Sequence, residues 1–314
     1  MGVLNVCGYP TKLALYGADH TYVECGSGSY AWGCWGGNSG GTVLRSSHGS
    51  TERADLIAEP DGRANITHYL INGVCHQAAN RILRSANITA RGARGYLLSV
   101  TLFGVLGRPS AVFGRFKAPL YEHASAVGDL DVCLYQGVVV PPSPSPAEEK
   151  FIAATLGLYK LYYPELVDAS DAAGGEQQEI GRSWDRSEAK RAAIFQIESF
   201  KLLVRYRSDV TRRRVTLMQY HQMMTIREEF ERSRELIEQE FVEGGTSSWL
   251  DFVRNFDELT QRFQESLATI LPEEDYKALL DISRDERIVL SDPAIVESIY
   301  EPESRPRGPG RRSP

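Results

Sequence analysis

The sequence lacks a long apolar run, and this absence excludes one class of protein. No stretch of its 314 residues approaches the roughly 18 consecutive apolar residues that a membrane-spanning helix needs. The segment Met1–Val6 has no basic region followed by an apolar core, so we expect no secretory leader. The sequence therefore predicts a protein without a membrane span.

An excess of positive charge is lacking as well. The formal net charge is -6 and the pI is about 5.6, whereas proteins that bind nucleic acids generally present a dominant basic face. The residues up to Ser145 carry a net charge of +2 and the remainder carries -8. We therefore predict no nucleic-acid partner, and the acidity belongs to the C-terminal half.

Cysteine is scarce and irregularly spaced. The five cysteines are Cys7, Cys25, Cys34, Cys75 and Cys133. An odd number without regular spacing does not form a small disulfide framework, so a reducing, cytoplasmic location is expected. A zinc site made of Cys25, Cys34, Cys75 and His76 would lack the paired short spacings of a zinc centre. We predict neither a metal nor a cofactor.

A proline-rich segment divides the chain. Residues 141–147 contain Pro141, Pro142, Pro144 and Pro146, a composition that favours a semi-rigid linker. We predict one domain over residues 1–140 and a second over 148–300. The tail 301–314 is rich in Arg, Pro and Gly and is expected to be disordered.

The first domain is predicted to be α+β, with a mainly antiparallel sheet packed on a helix that begins at Cys75. Short apolar and β-branched runs separated by Gly or polar turns predict its strands. These runs are Lys12–Tyr16, His20–Cys25, Thr42–Ser46, Thr67–Ile71, Tyr96–Phe103, Ala111–Phe116 and Val132–Val140.

The second domain is predicted to be all helical. No Gly or Pro occurs from Ser183 to Glu243, so this stretch predicts one very long helix or two that meet near Ser208–Asp209. A further helix is expected from about Ser248 to Ile270, with Ser247 as its cap. Pro272 is expected to start a short last helix.

Cys75 is the residue with the clearest chemical potential. The apolar run before it predicts a strand, and Gly73 permits a sharp turn from that strand into the helix. At a helix N-terminus, unpaired backbone N–H groups and the macrodipole favour a thiolate, which is a nucleophile. A cysteine on an apolar helix is also a common core residue, so this alternative stays open.

A nucleophilic cysteine needs a base, and the sequence offers two. His20 lies in a predicted strand, where it shares one face with Tyr22 and Glu24. His123 is the alternative base. His76 adjoins Cys75, but neighbouring helical side chains diverge by about 100°, so it would line the cleft rather than act as a base.

Several polar residues could orient the base or line the cleft. The third member of the site is predicted to come from Asn38 or from a residue of the strand that follows, with His68, His76, Gln77 and Tyr22 as further orienting or cleft residues. The loop over residues 26–41 holds seven glycines and two tryptophans. Close backbone approach at Gly and rigid indole walls make this loop a candidate substrate-binding lip.

The order of these features resembles a known family. A strand with Asp19-His20-Thr21-Tyr22-Val23, then a Gly- and Trp-rich hairpin, then Gly73-Val74-Cys75-His76-Gln77 at a helix start is similar to circularly permuted NlpC/P60 members of the papain-like superfamily. The resemblance covers roughly residues 10–140. It implies a papain-like domain in which Cys75 is the nucleophile, His20 is the base and the Cys75 N–H belongs to the oxyanion hole.

Two functions from different classes follow. The first is a cysteine hydrolase or acyltransferase that acts on an amide, peptide or thioester through an acyl-enzyme, its helical domain restricting access or recruiting a protein partner. The alternative is a non-catalytic interaction protein whose long C-terminal helices form the binding surface. Exposed apolar stripes on those helices would favour the second.

Overall fold

The computed structural model describes residues 2–11, 16–25, 28–30, 41–54, 69–109, 134–135, 138–139, 144–164, 184–243 and 249–292. Its strands are β1 (Gly2–Pro10), β2 (Asp19–Cys25), β3 (Gly28–Tyr30), β4 (Thr42–Gly49), β5 (Leu134–Tyr135) and β6 (Val138–Val139). Its helices are α1 (Cys75–Ile82), α2 (Tyr96–Phe103), α3 (Pro146–Tyr162), α4 (Arg186–Thr211), α5 (Leu217–Glu243), α6 (Trp249–Ile270) and α7 (Glu273–Leu280), and a 3-10 turn (Leu83–Ala86) follows α1. The predicted α+β class is confirmed.

Four strands form an antiparallel sheet in the order β3-β2-β1-β4. Residue Val6 of β1 is paired with Val23 of β2 on one side and with Arg45 of β4 on the other. The predicted strands at His20–Cys25 and Thr42–Ser46 are confirmed as parts of β2 and β4. The central strand β1 was missed, because its Gly, Asn and Pro residues weaken the strand signal.

Two predicted strands are wrong. Tyr96–Phe103 is the helix α2, and all eight of its side chains are buried. A short, fully apolar run does not separate a buried strand from a buried helix by its periodicity. In the predicted strand Thr67–Ile71, the described residues from Tyr69 onward form a tight turn. The predicted strand Ala111–Phe116 lies outside the described residues, and β5 and β6 lie within Val132–Val140.

The helical half agrees with the sequence pattern. Two helices, α4 and α5, occupy the long stretch without Gly or Pro, and the chain leaves α4 at Arg212, which has a left-handed backbone with φ 56°. Helix α6 ends at the predicted Ile270, and Pro272 caps α7. Ser247 lies outside the described residues.

Helix α3 begins inside the predicted linker. Ser145 accepts a hydrogen bond from the Glu148 N–H (3.2 Å), and Pro146 occupies the first helical position. Serine at the cap and proline in the first turn are the residues that favour a helix start. The division into two domains stays a prediction, and buried contacts cross it: the rings of Phe103 in α2 and Phe256 in α6 are 5.7 Å apart.

A buried cluster of arginines and glutamates joins the two halves. Arg108 contacts Glu238 (2.5 Å) and Glu231 (3.5 Å) on α5, Arg227 contacts Glu231 (2.5 Å), and Arg234 contacts Glu238 (2.9 Å). All five side chains are at most 1% exposed. Buried charges are tolerated only when they are paired and hydrogen-bonded, so this arginine–glutamate cluster fixes α5 against the segment that follows α2.

Across the ranges that the structure describes, none of the helices combines the length and the apolar character needed to cross a lipid bilayer. The predicted tail 301–314 lies outside these ranges.

Candidate functional site

The turn before Cys75 sets the start of α1, as the sequence predicted. Leu70 donates its N–H to the Gly73 carbonyl (2.7 Å) and has a left-handed backbone with φ 63°. The Gln77 side chain accepts from the Val74 N–H (3.0 Å) and so caps the helix. Gly73 is needed for space, since a Cβ there would lie 2.8 Å from Gln77 Cβ. The left-handed residue is therefore Leu70, and Gly73 admits the capping side chain.

The Cys75 sulfur lies against the start of β2. Its Sγ is 3.6 Å from the Asp19 carbonyl oxygen, to which the thiol donates. Asp19 is held by Arg94, since each residue's N–H bonds to an oxygen of the other. Three further groups favour the thiolate and so lower the pKa of Cys75: the backbone N–H of Thr21, the hydroxyl of Thr21 and the backbone N–H of His76.

Burial outweighs these donors. The side chain of Cys75 is enclosed, with the residue only 5% exposed, and desolvation raises the pKa of its thiol to about 11, with the Asp292 carboxylate adding to the rise. The helix N-terminus had led us to expect a lowered pKa. Because the charged form loses its hydration in the interior, the thiol is protonated near neutral pH in this closed state.

The Thr21 hydroxyl is a buried donor that a thiolate at Cys75 would accept from. Its oxygen is buried and forms no hydrogen bond within the described part of the chain, yet it stabilises the thiolate form of Cys75. A neutral sulfur is a weak acceptor, whereas a thiolate is a strong one. Ionisation of Cys75 would therefore satisfy a buried donor that the neutral thiol does not.

His20 occupies the next position of the same strand. Its ring lies 5.0 Å from that of Tyr9, which is directly opposite on β1. Helix α1 and the main core lie on the face of the sheet that carries Val23, and Thr21, which shares that face, acts on Cys75. His20 and Tyr22 follow the other parity of the strand. The sulfur thus contacts the residues on either side of His20, and the pairing of the two side chains stays a prediction.

His76 and Gln77 are interior residues that fix this junction. His76 Nε2 donates to the Asp19 carbonyl (3.0 Å), which can only accept, so Nδ1 accepts from the Ser99 hydroxyl (2.9 Å). Burial lowers the pKa of His76 to about 3, so the ring is neutral. Gln77 Nε2 also donates to the Gly104 carbonyl (3.1 Å). Both side chains are fully buried.

The remaining predicted site residues divide into two groups. Tyr22 is buried beside Cys7, and its hydroxyl accepts from the Gly41 N–H (3.1 Å), at the end of the Gly- and Trp-rich loop. Asn38, His68 and His123 lie outside the described residues, as does most of that loop.

Sequence reasoning missed two groups near the sulfur, Tyr69 and Asp292. The Tyr69 hydroxyl accepts from the Asp292 N–H (3.1 Å), and a negative charge on Cys75 contributes to the raised pKa of both Tyr9 and Tyr69. Asp292 comes from the far end of the described chain, and no local pattern indicated it. Thr21, by contrast, could have been found, because strand alternation places it on the apolar face of β2.

Within the described ranges, no three His, Cys, Asp or Glu side chains converge in a way that would hold a metal ion. Cys7, Cys25 and Cys75 are free thiols, and Cys34 lies outside the described residues.

A surface concavity of about 400 Å³ lies along α6, beside the end of the described chain at Ser291. It is lined by Leu250, Val253, Arg254, Asp257, Glu258, Gln261 and Ser291. The Asp257 carboxylate accepts from the Ser291 hydroxyl. Burial raises the pKa of Asp257 to about 6, from an ordinary value of 3.8.

Asp257→Asn is expected to stabilise the fold by about 3 kcal/mol near neutral pH. The folded pKa lies above the unfolded one, so the ionised carboxylate opposes folding above about pH 6, and this penalty disappears as the pH falls toward 3.8. Urea unfolding at several pH values measures the difference. A gain that persists below about pH 4 would contradict this cause, and Asp251→Asn, at a more exposed position of α6, is the control.

Comparison with known proteins gives no family: no family model matches the chain, and neither a curated protein nor a solved structure does. The fold and site define the class only as an α+β protein with a closed, protonated thiol at a helix start.

Proposed function

We propose that this protein is a cysteine acyl-transfer enzyme, a hydrolase or acyltransferase, in which Cys75 is the nucleophile. The observation that carries the proposal is the buried Thr21 hydroxyl, which has no hydrogen-bond partner within the described chain and, like the N–H groups of Thr21 and His76, favours the thiolate form of Cys75. Such donors stabilise a thiolate, and a core cysteine has no need of them. The papain-like architecture and the NlpC/P60 relationship belong to this proposal.

The reaction follows from the groups at hand. His20 accepts the thiol proton, and the thiolate attacks the carbonyl carbon of an amide, peptide or thioester. The bond to the leaving group breaks, the leaving nitrogen or sulfur takes the proton from His20, and the acyl group stays on Cys75 as a thioester. Water or a second nucleophile then releases the acyl group and restores the thiol.

His20 adjoins the site in sequence: it lies between Asp19 and Thr21, both of which interact with the sulfur, and its charge lowers the pKa of His76. Because its side chain follows the other face of β2 in the closed state, its role as base requires that this part of β2 rearrange. The cost of forming the thiolate in a closed site argues that catalysis needs an opened state, in which solvation brings the pKa of Cys75 down.

Acylation by p-nitrophenyl acetate tests the proposal. We expect an adduct at Cys75, located by peptide mass spectrometry and removed by hydroxylamine, that Cys75→Ala abolishes. His20→Gln is expected to slow acylation by roughly 10²-fold, the lower range for loss of a general base. Thr21→Val should slow it by roughly tenfold, since one donor to the thiolate is lost.

Matched variants control this experiment. Thr260→Val also removes a buried hydroxyl that has no hydrogen-bond partner within the described chain, but this residue lies on α6 and is not among the groups that shift the pKa of Cys75, so acylation should be unchanged. Cys25→Ala removes a different, half-buried thiol. Equal labelling of Cys25 and Cys75, or an unchanged rate in His20→Gln, would contradict the proposed function.

The alternative function, a non-catalytic interaction protein, would be favoured by apolar stripes on the long helices. The exposed large apolar side chains of α4 and α5 are Ile194, Leu217, Met218 and Leu236. Only Leu217 and Met218 are neighbours, and scattered surface apolar residues are ordinary. Nothing in these positions favours the alternative over the thiol site.

A further inference from the structure

The last described segment, Glu286–Asp292, passes beside the thiol site. We refer to it as the C-terminal strap. Its first part is fixed to α6 and to the turn before α2: Gln264 both donates to the Ile288 carbonyl (2.9 Å) and accepts from the Ile288 N–H (2.9 Å), and Glu286 contacts Arg94 (2.8 Å). Arg94 is also the residue that holds Asp19.

The middle of the strap pairs with the chain that enters β2. The Ala18 N–H donates to the Val289 carbonyl (3.0 Å), and the Val289 N–H donates to the Tyr16 carbonyl (2.7 Å). This is a single parallel bridge, Gly17 to Val289. The next residue of that chain, Asp19, is the one whose carbonyl contacts the sulfur, so the strap runs alongside the wall of the site.

The end of the strap is tied to the turn before Cys75. The Tyr69 hydroxyl donates to the Leu290 carbonyl (3.0 Å) and accepts from the Asp292 N–H (3.1 Å), and the Ser291 hydroxyl donates to Asp257. Tyr69 is fully buried. The strap therefore connects the chain that enters β2, whose Asp19 carbonyl contacts the sulfur, with the turn that precedes Cys75. The charge of Asp292 is close enough to oppose ionisation of Cys75.

The strap is built differently from the elements that it bridges. Its backbone belongs to no helix and to no strand longer than the one bridge, and its hydrogen bonds go to four separate parts of the fold. Segments without regular secondary structure, held by dispersed bonds and by two buried apolar side chains, here Ile288 and Leu290, open locally at lower cost than core helices or sheets.

We propose that the C-terminal strap is a releasable closure of the Cys75 site, and that its release gives a substrate access to the sulfur. This proposal rests on the proposed function. The Asp292 carboxylate, which opposes the thiolate, belongs to the strap, and the strap is bonded to the two segments beside the sulfur, at Ala18 and at Tyr69. The Thr21 and His76 donors belong to β2 and α1. Release would remove the opposition and leave the donors in place.

The rate of Cys75 alkylation by iodoacetamide tests the strap, followed by peptide mass spectrometry on the full chain. Tyr69→Phe removes both strap bonds at one end, and Gln264→Leu removes both at the other end, on α6. We expect each variant to speed alkylation of Cys75 by roughly tenfold. Alkylation of Cys7, which is buried among Tyr22 and Tyr9 on the other face of the sheet, should not change.

Tyr276→Phe is the matched control for Tyr69→Phe. It removes the hydroxyl of another fully buried tyrosine, one that forms no hydrogen bond within the described chain. Its Cys75 rate should equal that of the wild type. An effect of Tyr69→Phe without one of Gln264→Leu would mean a local change at the sulfur, and faster alkylation of Cys7 as well would mean general loosening. Either result would contradict the proposal that the strap is a releasable closure.

The two readouts distinguish failure of the closure proposal from failure of the proposed function. Alkylation reports access to the sulfur and needs no catalysis, whereas acylation by p-nitrophenyl acetate reports the nucleophile. Faster alkylation in both strap variants supports the strap even if Cys75 is never acylated. If the wild type and both variants share the same alkylation rate and the same acylation rate, the proposal that the strap is a releasable closure is wrong, whereas the proposed function is not contradicted.

Discussion

Acidification below about pH 6.5 is expected to destabilise the fold through His76 by about 1.4 kcal/mol for each pH unit. The unfolded chain takes up a proton at the ordinary imidazole pKa of 6.5, whereas burial lowers the pKa of the folded ring to about 3. Protonation therefore stabilises the unfolded state first. The full stability is present above pH 6.5 and is lost progressively down to about pH 3.

Burial of the His76 ring explains why its neutral form is favoured. In that form Nδ1 accepts from Ser99 and Nε2 donates to the Asp19 carbonyl, and a second proton on Nδ1 would make the Ser99 hydroxyl turn to donate to the Tyr96 carbonyl alone (2.8 Å). Asp257 acts in the opposite direction between pH 6 and 3.8, because its folded pKa is raised. A comparison of variants is therefore needed to isolate the histidine.

Urea unfolding of the wild type and His76→Gln over this pH range measures the effect. Glutamine is uncharged and can donate to the Asp19 carbonyl, so the variant should lose the part of the pH dependence that corresponds to one proton. His221→Gln, at an exposed position of α5, is the control and should keep the wild-type slope. Equal slopes for all three proteins would show that His76 is not the responsible group.

Glu238→Gln is expected to destabilise the protein by about 3–5 kcal/mol, the usual cost of breaking a buried ion pair by removing one partner. Glu238 is the carboxylate shared by Arg108 (2.5 Å) and Arg234 (2.9 Å). Without it, two buried guanidinium groups face a single remaining glutamate, Glu231 of the same cluster, which Arg227 also contacts.

Arg234 shows why the cost is not relieved by movement. Its guanidinium lies over the rings of Phe103 (4.8 Å) and Phe256 (5.1 Å) and donates to the carbonyls of Leu70 and Ile71. Burial lowers its pKa to about 10, so it stays charged near neutral pH. An arginine held on every side cannot reach water when its carboxylate is removed.

Urea unfolding measures this loss directly. Glu240→Gln, two residues further along α5 and exposed, makes the same chemical change outside the cluster and should alter stability by less than about 0.5 kcal/mol. A loss in Glu238→Gln that is no larger than the loss in Glu240→Gln would contradict the role assigned to the arginine–glutamate cluster. The cluster also bonds to Leu70 and Ile71, so this variant is expected to loosen the turn before Cys75.

The fold was predictable where one element carries its own signal. The long stretch without Gly or Pro predicted α4 and α5, and the start of α1 at Cys75 was predicted from the junction around Gly73. Tyr96–Phe103 was predicted wrongly, because eight consecutive buried residues have no exposed face to set the period. Strand β1 was missed because its place in the middle of the sheet depends on partners at β2 and β4.

The candidate site divides in the same way. The sequence by itself determined that a cysteine begins a helix, that His20 and Thr21 alternate across a strand, and that no run of apolar residues reaches the length a membrane span needs. The tertiary structure decided that the thiol is closed and protonated, because desolvation depends on which groups cover the sulfur. Tyr69, one of the groups near the sulfur, donates its hydroxyl to the carbonyl of Leu290, which lies 221 positions further along the chain. No local sequence pattern encodes a contact between residues so far apart.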